Sequence, residues 1–398
     1  MAQKEKFVII ANVIFLEVKN LGAYLFPIKT AIITFPIAGF ILLIPFLVWQ
    51  YRKHGYINYL RMFVLYSLLL FSMAAYYLII LPFPATLDTC SMQRPGTQHY
   101  QITPFTSIMD ILRETKVNFA NPMSYIGILK ERAFLQVAFN FLLLLPLGVY
   151  LRYYFRRNLL QTVIITFFVS LFFEVTQLTG FYGLYNCPYR LFDVDDLFLN
   201  TLGGFAGYMI APIFTYFLPD VHAMDEKVDF ENKPVRMTRR FLALWMDWFV
   251  IGIVTSLIFN VKVSVAFIFN PAEKLDELLL VFVWIFVYFI VFPYFTNGKT
   301  IGKWILHFRV KGQGERITFG ELCKRYGLLY YGIGGINYIL IASRVLNEQL
   351  EIIFLLLFFI FNGLILLHFA LHIFKRDKCL FYEKMSKTYN VITFKKNK

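Results

Sequence analysis

Charge is scarce in this 398-residue chain: Asp, Glu, Lys and Arg make up 16% of it, against about 25% in ordinary soluble domains. Apolar residues fill the difference, at 58%, which excludes a disordered chain and argues against a soluble globule. Cysteine is sparse too. The four, at 90, 187, 323 and 379, match no zinc-binding spacing. The sequence has no HExxH, GxSxG, Cys-x-x-Cys or EF-hand loop. Gly298-Lys299-Thr300 hints at a phosphate loop, but the glycine such a loop needs five residues earlier is Pro293. Nothing therefore supports a soluble catalytic domain. No cleavable signal is evident either: Lys4-Glu5-Lys6 precedes a short apolar run, Phe7 to Leu16, with no small-residue cleavage site behind it.

What is present in abundance is the long apolar run. About twenty mostly apolar residues cross a bilayer, and blocks of that kind stand at 28–49, 62–83, 134–151, 159–178, 197–218, 241–260, 277–296, 328–343 and 352–374, the eighth being the shortest. The expected fold is an all-α polytopic membrane protein of about nine transmembrane helices, in two bundles joined by a short polar cytoplasmic linker. The expected boundaries are 1–27 for an N-terminal amphipathic segment, 28–218 for the first membrane domain, 219–234 for the linker, 235–393 for the second membrane domain and 394–398 for a basic tail.

The net charge of +14 points to membrane lipids as partners and not to nucleic acid. The Lys and Arg sit in short clusters between apolar blocks, not on one basic face. The segments 51–61, 152–157, 219–240 and 297–327, with the C-terminal tail, hold 26 of the 39. The positive-inside rule places these segments, and the C-terminus, in the cytoplasm. The N-terminus then lies outside with Lys4, Lys6 and Lys19, and residues 7–20 are expected as a helix on the outer membrane surface. Cys90 and Cys187 fall outside, where an oxidising exterior allows a Cys90–Cys187 disulfide, with two separate thiols as the equal alternative. Both readings stay open. Cys323 and Cys379 fall inside.

Two constellations carry chemistry. In the first, Asp193, Asp196, Asn200, Gly203 and Gly207 advance by three, four, three and four residues, which keeps them on one helix face. Its start is polar and its later half bare glycine, the pattern of a close helix-packing seam with a polar mouth. Glu174 and Gln177 share a face of the preceding span, Asn140 enters from the span before, and Arg190 lies in the short loop between. Ionisable groups inside a span are costly, so they face partners or water. A purely structural account is also available: Asp193 caps its helix, Asp196 favours the helix dipole, and Glu174 pairs with Arg190.

These residues resemble the VanZ-like family pattern. The resemblance rests on Glu174-x-x-Gln177, on Arg190-x-x-Asp193-x-x-Asp196-x-x-x-Asn200-x-x-Gly203-x-x-x-Gly207, on ITPF at 102–105, and on Asn140 leading into LLLLPLG. It covers about residues 60–218, with Ile102 where the family has Asn. It implies a multi-pass domain of the bacterial cell membrane, associated with resistance to the glycopeptide teicoplanin. A lipid-linked envelope precursor or lipoglycopeptide is then the expected partner.

In the second constellation, Arg236, Arg240, Ala243 and Asp247 again share one helix face. Arg240 is expected to snorkel to the lipid heads, with Asp247 about 10 Å deeper, where a carboxyl needs a partner, a proton or water. Arg240, Ala243 and Asp247, with Thr300-x-Gly302-Lys303 and a late segment from Glu383 to Thr388, resemble the RDD family over about residues 235–393. Glu383 replaces that family's second aspartate. The resemblance implies cation or proton exchange in some members. The structural alternative pairs Asp247 with a basic residue of the Thr300–Lys303 loop.

Three functions follow from the sequence, in this order: an envelope accessory affecting glycopeptide tolerance through a polar site at the outer surface; cation exchange through Asp247; and an acid/base enzyme using Glu174 with Asp193 or Asp196 on a lipid-linked substrate. No cofactor is implied. No metal is either, since His368 and His372 share a helix face without an obvious carboxylate beside them.

Overall fold

The computed structural model describes residues 2–115, 117, 127–129, 131–226, 228–230, 233–259, 275–346, 348–374 and 379–394. Residues 260–274, most of the stretch between the expected blocks 241–260 and 277–296, lie outside the described residues, as do 395–398 of the expected tail at 394–398 and parts of the 84–133 loop and the linker. The chain divides into two compact units, Met1–Leu43 with Asn58–Met224, and Ile44–Ile57 with Asp225–Lys398.

It is an all-α membrane protein with little sheet. Among the described residues seven helices are long and apolar enough to span a bilayer: Leu25–His54, Tyr59–Ile80, Arg132–Tyr153, Leu159–Leu178, Val194–Thr215, Met237–Leu257 and Glu351–His372. The count of nine is not reached. The 277–296 block is described as a shorter apolar helix, Val281–Phe295, with a π-turn at Val287–Val291. Pro293 lies just beyond that turn, lacks an N–H and crowds the carbonyl four residues back, so the helical register widens there. The 328–343 block begins in a second π-turn, Gly327–Gly332, leaving only Ile333–Leu346 as α-helix.

In the first unit, helix α1 is continuous from Ala2 to His54, its residues from Ile44 onward belonging to the second unit. The separate surface helix expected at 7–20 is therefore the opening of α1, since no Pro or Gly interrupts the sequence from Ala2 to Leu21. Helix α2 (Tyr59–Ile80) is capped by Asn58, which accepts from the Arg61 N–H. Strand β1 (Tyr100–Gln101) and helix α3 (Thr106–Glu114) follow. The 134–151 block breaks at Leu144 into α4 (Arg132–Leu143) and α5 (Leu145–Tyr153), because Pro146 cannot donate to the preceding turn. Helix α6 (Leu159–Leu178) starts at a reciprocal Asn158/Gln161 capping box. Strand β2 (Phe192–Asp193) pairs parallel with β1 and runs into α7 (Val194–Thr215).

Ala75, Ile79, Leu144 and Phe173 form the core between these helices, while Phe168, Ile213 and Phe214 are exposed on the outside, the inverted dress of helices whose solvent is lipid. The polar segments after α2 and before α7 are stapled by a Cys90–Cys187 disulfide.

The second unit contains α8 (Met237–Phe259), α9 (Leu275–Phe286), the short α10 (Ile301–Ile305), β3 (Phe308–Lys311), α11 (Phe319–Tyr326), α12 (Ile333–Leu346), α13 (Glu351–Phe374), α14 (Phe381–Ser386) and β4 (Tyr389–Ile392). Strands β3 and β4 pair antiparallel. Thr300 caps α10 and Thr318 caps α11, each through its hydroxyl. Phe289, Val310, Leu322 and Tyr326 lie in the main apolar core.

Candidate functional site

The glycines of α7 set the geometry of the first unit. A Cβ on Gly203 would stand 1.9 Å from the Phe141 carbonyl oxygen, one on Gly207 1.9 Å from that of Leu145, and one on Gly148 2.0 Å from that of Gly204. Those contacts exclude any side chain, so α7 meets α4 and α5 backbone to backbone. The polar part of α7 is thereby held beside Asn140 of α4, whose amide donates to the Asp196 carboxylate.

A cavity of about 610 Å³ lies among these helices, lined by Asn140, Glu174, Gln177, Arg190, Asp196 and Asn200. Apolar side chains of α2 and α4, including Phe71, Leu78 and Phe139, complete its wall. Glu174, 1% exposed, accepts the Asp193 backbone N–H at 3.0 Å. Gln177 donates to the Ile79 carbonyl and Asn200 to the Ser170 hydroxyl. Arg190 donates to the carbonyls of Leu78 and Leu81, tying its loop to the end of α2.

Asp193 does not line the cavity. It accepts the Asp195 N–H at 2.9 Å and so caps α7. Burial pushes its carboxyl above the usual range, against the pull of that Asp195 N–H. Asp195 was not singled out by spacing, because it points off the stripe. Its carboxylate gathers the Phe105 N–H at 2.6 Å, the Ser107 N–H at 2.8 Å and the Thr106 hydroxyl at 3.0 Å, which fastens the start of α3 to the start of α7. The only sequence signal for this was ITPF at 102–105, some ninety residues away, where Phe105 adopts a left-handed backbone with φ 65°.

In the second unit the carboxyls are clasped. Asp247, fully buried, accepts from the Tyr288 hydroxyl at 2.8 Å, the Thr300 hydroxyl at 2.7 Å and the Gly302 N–H at 2.7 Å, with the Lys303 ammonium at 3.6 Å. A side chain at residue 302 would collide with the Ala243 carbonyl at 2.4 Å, so only glycine brings that N–H to Asp247. Arg240 has a partner within the protein. Its guanidinium is drawn to Glu383 at 2.9 Å, and Arg325 meets the same carboxylate from the other oxygen at 2.7 Å. The Asn390 amide and the Leu380 N–H also donate to Glu383. Burial alone would raise the Glu383 carboxyl, but Arg325 and Arg240 hold it below the usual range.

Sequence reasoning missed Arg325, Tyr288 and Asn390, which lie far from the 236–247 stripe. It also passed over Arg239, buried at 2% exposure, whose Nε donates to the Leu306 carbonyl at 2.7 Å. His372 Nδ1 faces the His368 carbonyl, and among the described residues no group of three or more His, Cys, Asp or Glu is arranged to hold a metal.

Comparison with known proteins assigns both halves. Residues 63–215 match the VanZ/LLP1 family model, and residues 234–387 match the RDD family model. No curated protein and no solved structure matches the chain. The chain is a multi-pass membrane protein that joins a VanZ-like N-terminal half to an RDD family C-terminal half.

Proposed function

We propose that the VanZ-like half is an accessory of the bacterial cell envelope that affects tolerance to teicoplanin-like glycopeptides by binding an amphiphilic, lipid-anchored molecule at the outer membrane surface. The observation that carries this reading is the 610 Å³ cavity, which gathers seven polar residues, Gln136 with the six above, from separate helices and a loop onto an otherwise apolar wall. Ligand sites are typically concave and mostly apolar, with a few convergent polar groups. On this reading the C-terminus is cytoplasmic, which the charge asymmetry supports, and the cavity lies toward the opposite face. The occupant on this reading is a lipid-linked envelope precursor or the lipoglycopeptide itself.

The test is tolerance in a strain expressing Asp196→Asn or Glu174→Gln in place of the unaltered protein. Both keep shape and remove charge, so loss of tolerance at normal membrane abundance supports the site. Loss of tolerance only in step with abundance overturns it.

A second reading has one observation in its favour. Glu174 and Asp196 border the same cavity, the arrangement an acid/base enzyme acting on a lipid-linked substrate requires. A changed lipid product in the expressing strain, lost in both variants, supports it. Cation exchange through Asp247 has less support, because that carboxylate is already held by Tyr288, Thr300, Gly302 and Lys303.

A further inference from the structure

A second cavity, of about 530 Å³, lies wholly within the RDD half. Phe241, Leu244, Leu329 and Leu366 make much of its wall apolar, while Arg240, Lys303 and Arg325 bring positive charge to it. Among the described residues no carboxylate lines it. Asp247 and Glu383, which partner those cations, are not part of its wall.

Polar atoms on this wall remain unsatisfied, among them two on almost wholly buried residues. Tyr326 is 3% exposed and Arg325 3% exposed, and neither the Tyr326 hydroxyl nor the Arg325 Nε has a hydrogen-bond partner. Leaving such groups buried and unpaired is costly, about 1–3 kcal/mol each and more for a charged group. A ligand oxygen supplies what they lack. The position is suitable: Arg240 stands in the first turn of the span that begins at Met237, at the depth where lipid heads meet protein. Cations and an idle hydroxyl on a wall that is largely apolar match a molecule with an acidic head and a hydrocarbon tail.

We propose that this cavity binds an anionic phospholipid, its phosphate oxygens taken by Arg240, Lys303, Arg325 and the Tyr326 hydroxyl, and an acyl chain laid along Leu244, Leu329 and Leu366. This site is separate from the VanZ-like cavity and does not depend on the function proposed for it.

The experiment uses the full chain in phosphatidylcholine nanodiscs, with melting followed as phosphatidylglycerol is added, and inorganic phosphate as a separate arm. Phosphatidylglycerol is expected to raise the melting temperature saturably and phosphate to leave it unchanged. Tyr326→Phe should weaken the apparent affinity about fivefold, the worth of one hydrogen bond, and Leu244→Trp should abolish the shift by filling the chain-binding part of the cavity. No shift in the unaltered protein overturns the proposal without recourse to either variant. So does an equal shift from inorganic phosphate, which would mean a bare anion site. An unchanged shift in either folded variant also overturns it, since general attraction of a basic protein to an acidic bilayer would survive both changes.

Discussion

Glu174 and Asp196 in the VanZ-like half border open space, the first receiving the Asp193 N–H and the second the Asn140 amide. In the RDD half Asp247 gathers three hydrogen-bond donors with the Lys303 ammonium near it, Glu383 gathers four donors, and neither borders the cavity beside them. Asp196 and Asp247 each arise on a helix whose stripe steps by three and four residues. The spacing selects a face, but what that face meets depends on residues contributed from elsewhere in the chain. A carboxyl surrounded by donors from such segments acts as a clasp, whereas one left beside a cavity is available to a guest.

The sharpest way to break this contrast is to neutralise a clasp. Glu383→Gln leaves Arg240 and Arg325 without their carboxylate, and removing one partner of a buried ion pair costs about 3–5 kcal/mol. Loss of folded protein after detergent extraction is the expected result, and normal yield and melting would contradict the assignment. The same group gives a pH signature. Its folded value lies below the ordinary 4.5, so its stabilisation is fully present above that value and is lost as pH falls through the lowered one. Acid melting of the unaltered chain should show that loss, and Glu383→Gln should lack it.

Gly203→Leu should follow in size. Overpacking typically costs about 1–3 kcal/mol, and here the obstacle is the Phe141 backbone, which a change of rotamer cannot clear. Reduced abundance is expected whatever the cavity does, as measured by size-exclusion of a fluorescent fusion. Smaller again is the stability effect of Asp196→Asn or Glu174→Gln, at about 1 kcal/mol or less, since each retains its hydrogen-bonding shape. A drop as large as that of Glu383→Gln would erase the distinction between the halves. The smallest effect sought is a count. Denatured, unreduced protein should yield two thiols, Cys323 and Cys379, and reduction should yield four; four before reduction removes the disulfide.

Much of the architecture was legible because lipid imposes a simple code, apolar runs of a certain length with basic residues at the ends. That code misreads helices in which Pro293 or Gly327 and Gly332 alter the register, and for this reason the seventh and eighth blocks proved too short or too irregular. The 3-4-3-4 stripe was readable from Asp193 to Gly207 because a helix repeats locally. Asp195 was not, since its three donors come from the segment at 105–107. The partner of Arg240 was unreadable for a similar reason. Snorkelling is the default for a boundary arginine only where no buried carboxylate competes for it, and Glu383 lies more than a hundred residues away in the sequence.

The glycine contacts of α7 fall on either side of the Leu144 break, on Phe141 before it and on Leu145 after it. They act as a splint across the interruption, joining three helical pieces into a body that yields little, because bare backbones already in contact have nothing left to compress. Asn140, Asp196 and Asn200 are mounted on that body, while Phe71 and Leu78 of α2 face them with ordinary rotatable side chains. A cavity built this way has one fixed jaw and one compliant jaw. If it takes the lipid-anchored molecule proposed above, discrimination of head-group shape falls to the fixed jaw, and tolerance of varied hydrocarbon to the other.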